Sequence, residues 1–442
     1  MPHKRDDDER KSAERGPYME LCDQQTCCGC GACVNICPKG SVSLRYGQTG
    51  VLYPQIDAQS CLNCGACASV CPQKTPVQLR TPVACYAAYR KDAQRRLDSA
   101  SGGIGALLYE TFLHNGGRVA AYGVTWNPDK ERAEFSRVTT ALEAEQFKGS
   151  MYVQPFTGEL YRQVAADLKT GASVLFVGLP CHVSACKLYL NKAHVQTDGL
   201  YTVDLLCHGV SSHKYLTEEL EYLKKKRGFT IIKNITFRSN RKGRNFHLSL
   251  RAQKRDGKPC GYCKSVGEDP YFRAFLDGVS LNESCYRCRF SCDARVGDMT
   301  IGDFIGLGEQ AGFAPYEGVK KNASVVLVNS EKGSLLLKSI SEQTELFQRT
   351  YAEAVQGGAS LRTPFPRHVL RDAFLETYER QGFVKAMQVV AGRAIQKSRL
   401  KQTALRAISL LNLEKVCAKV PGTLADVVVP FVPGTMKVQA GY

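Results

Sequence analysis

The chain has 442 residues, 43% of them hydrophobic, with 59 Lys and Arg against 42 Asp and Glu, a formal net charge of +17. That length exceeds one ordinary core and predicts two or three domains, while no stretch is apolar for long enough to span a bilayer as a helix. The charge excess would suit nucleic acid or an anionic membrane face, but no helix-turn-helix, RNA-binding signature or aromatic–basic interleaving accompanies it, so no nucleic-acid partner is expected.

Residues 1–20 begin Met1-Pro-His-Lys-Arg-Asp-Asp-Asp-Glu-Arg. This charged run is expected to be disordered, and it has no apolar secretory core, so the protein is expected in the cytoplasm. Twenty cysteines in a reducing compartment point to metal ligation rather than to disulfides. Ten of them precede residue 72.

Within that group, Cys27-x2-Cys30-x2-Cys33-x3-Cys37-Pro38 is followed by Cys61-x2-Cys64-x2-Cys67-x3-Cys71-Pro72. This is the bacterial ferredoxin spacing, in which the fourth cysteine of each run reaches across to the other cluster. One 4Fe–4S cluster is therefore assigned to Cys27, Cys30, Cys33 and Cys71, and a second to Cys61, Cys64, Cys67 and Cys37. Gly29, Gly31 and Gly65 let the backbone approach the sulfurs, and Pro38 and Pro72 end each helical turn. Cys22 and Cys28 fall outside the spacing and are read as bystanders. Val42, Leu44, Val51, Tyr53 and Ile56 around a Gly47–Gly50 turn predict a hairpin. Residues 21–80 thus form a ferredoxin-type domain.

From Pro82, short β-rich runs alternate with helical stretches, an α/β pattern. Strands are predicted at 84–89, 119–124, 135–138, 173–177 and 201–206, and helices after Gly103, Phe156, Cys181 and Ser212. If the strands ending near Gly178 and Leu206 are parallel neighbours, Cys181 and Cys207-His208 emerge at one carboxyl edge, where open α/β sheets place ligands. Ser101-Gly102-Gly103 before a helix and Lys148-Gly149-Ser150 suit a phosphate or flavin contact, although ordinary loops also use such residues.

Cys260-x2-Cys263 and Cys285-x2-Cys288, with Cys292 behind, allow two readings. The spacing fits a zinc ribbon. Alternatively, Cys285 and Cys288 join Cys181 and Cys207 as ligands of a third 4Fe–4S cluster. A short strand, Asp298-Met-Thr-Ile-Gly302-Asp303-Phe304, follows and could close over a cofactor. Residues from about Lys385 to Lys419 read as a basic amphipathic helix, with Val389, Val390, Leu400, Leu405, Ile408 and Val416 as apolar positions.

Several stretches in order carry a resemblance. They are Ser101-Gly-Gly, Lys148-Gly-Ser-Met-Tyr-Val-Gln154, Gly178-Leu-Pro-Cys181, Asp204-Leu-Leu-Cys-His-Gly209, Asp269-Pro-Tyr-Phe-Arg-Ala-Phe275, Ser284-Cys-Tyr-Arg-Cys288 and Gly297-Asp-Met-Thr-Ile-Gly-Asp-Phe304. Together they resemble the flavin-dependent beta-subunit family of coenzyme F420 hydrogenases and dehydrogenases, in the form with an N-terminal two-cluster ferredoxin domain. The resemblance implies a multidomain α+β and α/β protein: the dicluster ferredoxin-like domain, a central α/β FAD domain over 81–255, a cysteine-bearing C-terminal part over 256–380 and a basic helical tail over 381–442. It implies FAD held around Ser101, Gly102, Gly103, Lys148, Gly149, Ser150, Gly178, Pro180, Gly209, Gly302 and Asp303. It also implies the third cluster on Cys181, Cys207, Cys285 and Cys288. His182 and Ile305 depart from the family's usual Gln and aromatic residue, and Cys260, Cys263 and Cys292 lie outside its pattern. The expected function is oxidoreduction. A one-electron carrier such as ferredoxin feeds the clusters, and FAD reduces a small organic molecule or a deazaflavin, with His208 as a proton donor. The rival expectation is an electron-transfer subunit without its own substrate site, docked on a catalytic partner.

Overall fold

A computed structural model describes residues 21–114, 116–239, 246–313 and 322–410. The last part of the expected tail helix, with Val416 and Lys419, and the N-terminal 20 residues lie outside the described residues.

The cysteine-rich segment folds from two short helices and a hairpin. Helix α1 (Ala32–Ile36) and strands β1 (Val42–Tyr46) and β2 (Leu52–Ile56) come first, then helix α2 (Ala66–Ser69). The strands pair antiparallel, Val42 opposite Ile56 and Tyr46 opposite Leu52. Each helix is entered through a left-handed glycine, Gly31 at φ 72° and Gly65 at φ 70°, a conformation that costs an L side chain dearly. At Gly31 a Cβ would also stand 2.1 Å from Thr157 Oγ1, so the turn doubles as a docking point.

The chain then builds β3 (Ala84–Arg90), α3 (Ala93–Leu97), α4 (Ile104–His114), β4 (Val119–Asn127), β5 (Arg132–Val138), α5 (Leu160–Lys169), β6 (Ser173–Gly178), α6 (Pro180–Lys192) and β7 (Leu200–Leu205). Helix α7 (His213–Arg227), strands β8 (Phe229–Thr236), β9 (His247–Lys254) and β10 (Pro259–Ser265), and helix α8 (Pro270–Leu276) follow. Next come β11 (Met299–Asp303), β12 (Ser324–Val328), α9 (Glu331–Ile340), β13 (Thr344–Arg349), α10 (Tyr351–Gly357) and α11 (Arg371–Leu410). All five predicted strands and the four helix positions are present, with ends moved by a few residues.

Eight strands form one mixed sheet in the order β13-β3-β12-β11-β7-β6-β4-β5. Its middle, β11-β7-β6-β4, is parallel, and the flanking pairs are antiparallel. Central strands covered on both faces read as continuous apolar runs, and Val174–Gly178 and all of β12 are buried accordingly. One face packs Leu107, Phe112, Ile301 and Leu337. The other packs Tyr122, Tyr161, Phe176 and Val183 together with Cys30, Ala32 and Val70, so the ferredoxin segment forms part of that face. A separate three-stranded sheet, β10-β9-β8, packs with α7, α8 and α11 around Tyr215, Phe237, Phe272, Phe374 and Phe383.

Two expectations differ from this architecture. The division at 255/256 falls in the turn joining β9 to β10, and the later segment's β11, β12 and β13 complete the same sheet as β3 and β7. The tail helix also turns a different face inward: Phe383, Ala386, Met387 and Ile395 are buried, while Val389, Leu400 and Leu405 are exposed. Gly382, at φ 76°, bends the helix there, and Glu218 Oε2 accepts the freed Phe383 amide at 2.7 Å.

Candidate iron–sulfur site

The four cysteines of each interleaved set line a common cavity. Cys27, Cys30, Cys33 and Cys71 surround one, and Cys37, Cys61, Cys64 and Cys67 surround the other. Backbone amides already aim at the sulfurs, Gly29 N to Cys27 Sγ at 3.3 Å and Asn63 N to Cys61 Sγ at 3.4 Å. Such donors tune a cluster's potential and orient its ligands, so these residues fit a pair of 4Fe–4S clusters. Among the described residues no three His, Cys, Asp or Glu side chains close tightly around a single ion.

The segment is bolted to the sheet by polar contacts. Helix α5 has no side-chain cap of its own. Asn35 supplies one from the ferredoxin segment, its Oδ1 accepting the Tyr161 amide at 3.1 Å and the Arg162 amide at 3.4 Å. Asn35 Nδ2 donates to Gly158 O at 2.7 Å, and Tyr161 Oη donates to Cys30 O at 2.8 Å. On the other side Ser212 Oγ and Tyr215 Oη donate to the carbonyls of Gly50 and Thr49 in the hairpin turn.

A third cysteine group assembles beside the first cavity. Strands β6 and β7 are parallel, Gly178 opposite Asp204, so their carboxyl ends deliver Cys181, in the first turn of α6, and Cys207 to one edge. Cys285 and Cys288 come from the turn around Glu283–Arg287. The Cys181 thiol lies in the field of Cys207 and Cys288, and Cys285 in that of the same two. Burial pushes Cys207 up to about 12 and raises Cys285 and Cys288 as well. These thiols therefore hold their protons until a metal displaces them.

The backbone around this group is held by a buried ion pair. Arg295 Nη2 lies 2.8 Å from Asp204 Oδ1, and Asp204 Oδ2 accepts the amides of Val296 at 3.1 Å and Gly297 at 2.8 Å. Asp204 precedes Cys207 and Arg295 follows Cys288, so the pair fixes both cysteine-bearing segments. Arg289 Nη1 donates to Pro72 O at 2.9 Å, tying the same loop to the residue after Cys71.

Two cysteines that the spacing set aside lie inside these groups. Cys28 makes side-chain hydrogen-bond contact with Cys181 and Cys30, and Cys22 with Cys27 and Cys71. Both also line the first cavity, and their one sequence signal is nearness to the first run, Cys28 following Cys27 directly.

A zinc ribbon at Cys260 and Cys263 does not fit. Both lie on the continuous strand β10, where positions three apart face opposite sides. Cys260 packs toward the core, and Cys263 is exposed, accepting a hydrogen bond from Ser249 Oγ at 3.2 Å. Cys292 Sγ donates to Ala294 O at 3.4 Å.

The residues assigned to a flavin divide into two kinds. Some are engaged by the protein itself. Ser101 Oγ donates to Ala323 O at 3.2 Å, the Gly102 amide donates to Ser324 Oγ at 3.0 Å, and a Cβ on Gly302 would stand 2.7 Å from Leu206 Cβ. Gly103 enters α4, and a Cβ on Gly209 would stand 2.8 Å from Leu281 Cδ1. Others face the carboxyl edge: Gly178 ends β6, Pro180 opens α6, and Asp303 ends β11. Asp303 pairs with the buried Arg238, whose Nε has no partner among the described residues. Lys148 pairs with Glu145, and the space beside Gly149 is open. That open flank and the orphaned guanidinium nitrogen suit an anionic cofactor. The Tyr152 hydroxyl lies within reach of Ser150 and Arg238. His208 sits between Phe275 and Phe365, its Nε2 donating to Phe275 O at 3.2 Å. Burial lowers it to about 4, so near neutral pH it carries no transferable imidazolium proton.

Residues 171–353 match the family described as the C terminus of the coenzyme F420 hydrogenase/dehydrogenase beta subunit, and residues 26–75 match the 4Fe-4S dicluster domain. Residues 171–353 thus carry the C-terminal domain of that beta subunit and residues 26–75 a dicluster domain, a combination that makes the chain an electron-transfer iron–sulfur protein. No curated protein matches it. Among solved structures, a chain of the F420-reducing NiFe hydrogenase complex from Methanosarcina barkeri, studied by xenon derivatisation, aligns at 16% identity with a TM-score of 0.41, covering 71% of this chain and 93% of that one. No helix among the described residues is long and apolar enough to cross a membrane.

Proposed function

We propose that the chain is a cytoplasmic oxidoreductase. In this reading it takes single electrons from a carrier such as ferredoxin, moves them through the two N-terminal clusters to a third 4Fe–4S cluster on Cys181, Cys207, Cys285 and Cys288, and delivers them by way of FAD to a small organic molecule or a deazaflavin. The observation that carries this reading is the gathering of those four cysteines at the sheet's carboxyl edge, beside the first ferredoxin cavity. When bound, the clusters exchange one electron at a time, and a flavin takes electrons singly and passes on a hydride equivalent.

The chain's own residues give that path a fixed geometry. Asn35 and Tyr161 hold the first cavity against α5, and Arg289 holds the Cys288 loop against Pro72. The Asp204–Arg295 pair sets Cys207 and Cys288 on a common frame. Lys148 and Arg238, each already paired with a carboxylate, and the open space beside Gly149 supply hydrogen-bond donors and room for an anionic cofactor.

A second reading is favoured by one feature. Val389, Leu400 and Leu405 are exposed on the basic helix α11, as in a subunit that docks on a catalytic partner. Co-purification of a stoichiometric partner, with no turnover by the isolated chain, would select it.

Anaerobic purification with iron, zinc and flavin analysis tests the main reading. The expected content is about twelve irons and one FAD per chain. About eight irons without flavin would sink the relay and leave a ferredoxin-like carrier.

A further inference from the structure

Residues 224–264 hold fourteen lysines and arginines against a single acid, Asp256, so less than a tenth of the chain carries most of its formal charge of +17. Arg241, Lys242 and Arg244 lie outside the described residues, and Arg238 and Lys264 are ion-paired. The fold gathers most of the others at one pole of the three-stranded sheet. Helix α7 ends in Lys224, Lys225, Lys226 and Arg227 and closes at Gly228, with φ 70°. The next residue, Phe229, stands opposite Lys254 in the β8–β9 pair. Lys254 opens the turn into β10, its amide donating to Lys258 O at 2.9 Å. The two turns therefore lie side by side, and Lys225, Lys226, Arg227, Lys254, Arg255 and Lys258 are all exposed. Lys224 pairs with Glu131 and Glu221, and Lys258 with Asp256; among the described residues no carboxylate pairs with the other five.

A helix C-terminus attracts cations through its dipole, which accounts for the last turn of α7. It does not account for the β9–β10 turn, which adds like charges beside those of α7. Such crowding is unfavourable in the free protein and is relieved by a negative surface. The sheet's outer row extends the patch with exposed Lys233 and with Arg251, which stands between Gly261 and Asn234. A sheet that reads nucleic acid stacks bases on aromatic side chains, whereas this row continues with Ser249 between Cys263 and Thr236. A protein partner seats on an aromatic or aliphatic anchor. Among the described residues of 224–264, Ile231 alone is a large exposed apolar side chain, at 37%. Charge without anchor or stacking platform suits a fluid anionic surface, which asks for cations and imposes no shape.

We infer that this pole is a docking face for an anionic lipid bilayer, with the cations of the α7–β8 and β9–β10 turns meeting the headgroup phosphates. The association is peripheral and electrostatic. It stands apart from the cofactor reading, since no cysteine and no residue assigned to the flavin takes part. Each lysine or arginine held near such a surface strengthens binding about fivefold, and several act together. Salt shortens the reach of the field, so the affinity falls steeply as ionic strength rises.

The test floats the full chain, purified anaerobically, with vesicles of equal parts phosphatidylcholine and phosphatidylglycerol, and with vesicles of phosphatidylcholine alone. The chain should bind the first and not the second, and should be released at about 0.5 M salt. K225Q/K254Q takes one cation from each turn and should bind about 30-fold more weakly. K169Q/K192Q removes two exposed lysines from the ends of α5 and α6 and should bind as the parent does. All four side chains are exposed, so both variants should keep the parent's thermal midpoint, which separates lost binding from lost fold. Equal binding to both kinds of vesicle, no binding to either, or an equal loss in the two variants would overturn the inference. So would tighter binding of duplex DNA or of poly-glutamate than of the phosphatidylglycerol vesicles at the same salt, which would assign the pole to a nucleic acid or to an acidic protein.

Discussion

Asp204 is fully buried, and its carboxylate is met by Arg295 and by two backbone amides. Full satisfaction of this kind makes a buried ion pair tolerable, because an unpaired charge in the same place would cost several kcal/mol. His213 is the opposite case. Its Nδ1 has no partner among the described residues, and burial against Phe156, with Arg132 nearby, lowers it to about 4. The unfolded chain takes up this proton below about 6.5, whereas the fold takes it up only near 4. Stability is therefore full above about 6.5 and declines as pH falls toward 4, by at most about 3 kcal/mol for this side chain. His182 and His208 are held near 4 as well and act with the same sign. His213→Gln should flatten part of the slope, read as urea midpoints measured across that window; an unaltered slope would refute the assignment. At this scale the sequence was legible where ligands are neighbours in the chain, as in the two ferredoxin runs. Cys28 was not, because part of what surrounds it, Cys181 and His182, comes from far along the chain.

Among the elements, α11 separates docking from appearance. Its apolar residues suggested one face, but the buried face is chosen by what α7 and α8 present. Tyr215 stacks on Phe383 at 5.7 Å between centroids, and Arg399 Nε donates to Glu268 O at 3.0 Å. Phe383→Ala should cost about 3–5 kcal/mol by emptying that core, while Leu400→Ala should stay within about 0.5 kcal/mol. Chemical denaturation of both variants decides this, and the reverse order would show that the helix docks through its other face. The strands were easier to read, since a central parallel strand such as β6 must be apolar throughout and its run is bounded by Thr170-Gly171 and Gly178. The pairing of β3 was not readable, because nothing local in Ala84–Arg90 names partners so far along the chain.

For the whole molecule, the ferredoxin segment shares a core with the sheet instead of hanging from a linker. Asn35 caps a helix that belongs to the other body, and Gly31 closes against Thr157. Iron bound to the folded state alone stabilises by mass action. Stripping it with a chelator should therefore lower the calorimetric midpoint of the main transition, not merely release a small separate one. An unchanged main transition, with melting confined to residues 21–80, would mean that the two bodies fold independently.

The placement of β3 sets a timetable. This strand is made directly after the ferredoxin segment, yet it lies between β12 and β13 at 324–328 and 344–349. On the ribosome, the eight cysteines of the first two cavities emerge complete while β3 still lacks both neighbours and the third group still lacks Cys285 and Cys288. Pairing across so long a separation is slow. The order of synthesis thus favours loading the N-terminal clusters first and closing the sheet, with the last cysteine group inside it, only near the end of translation.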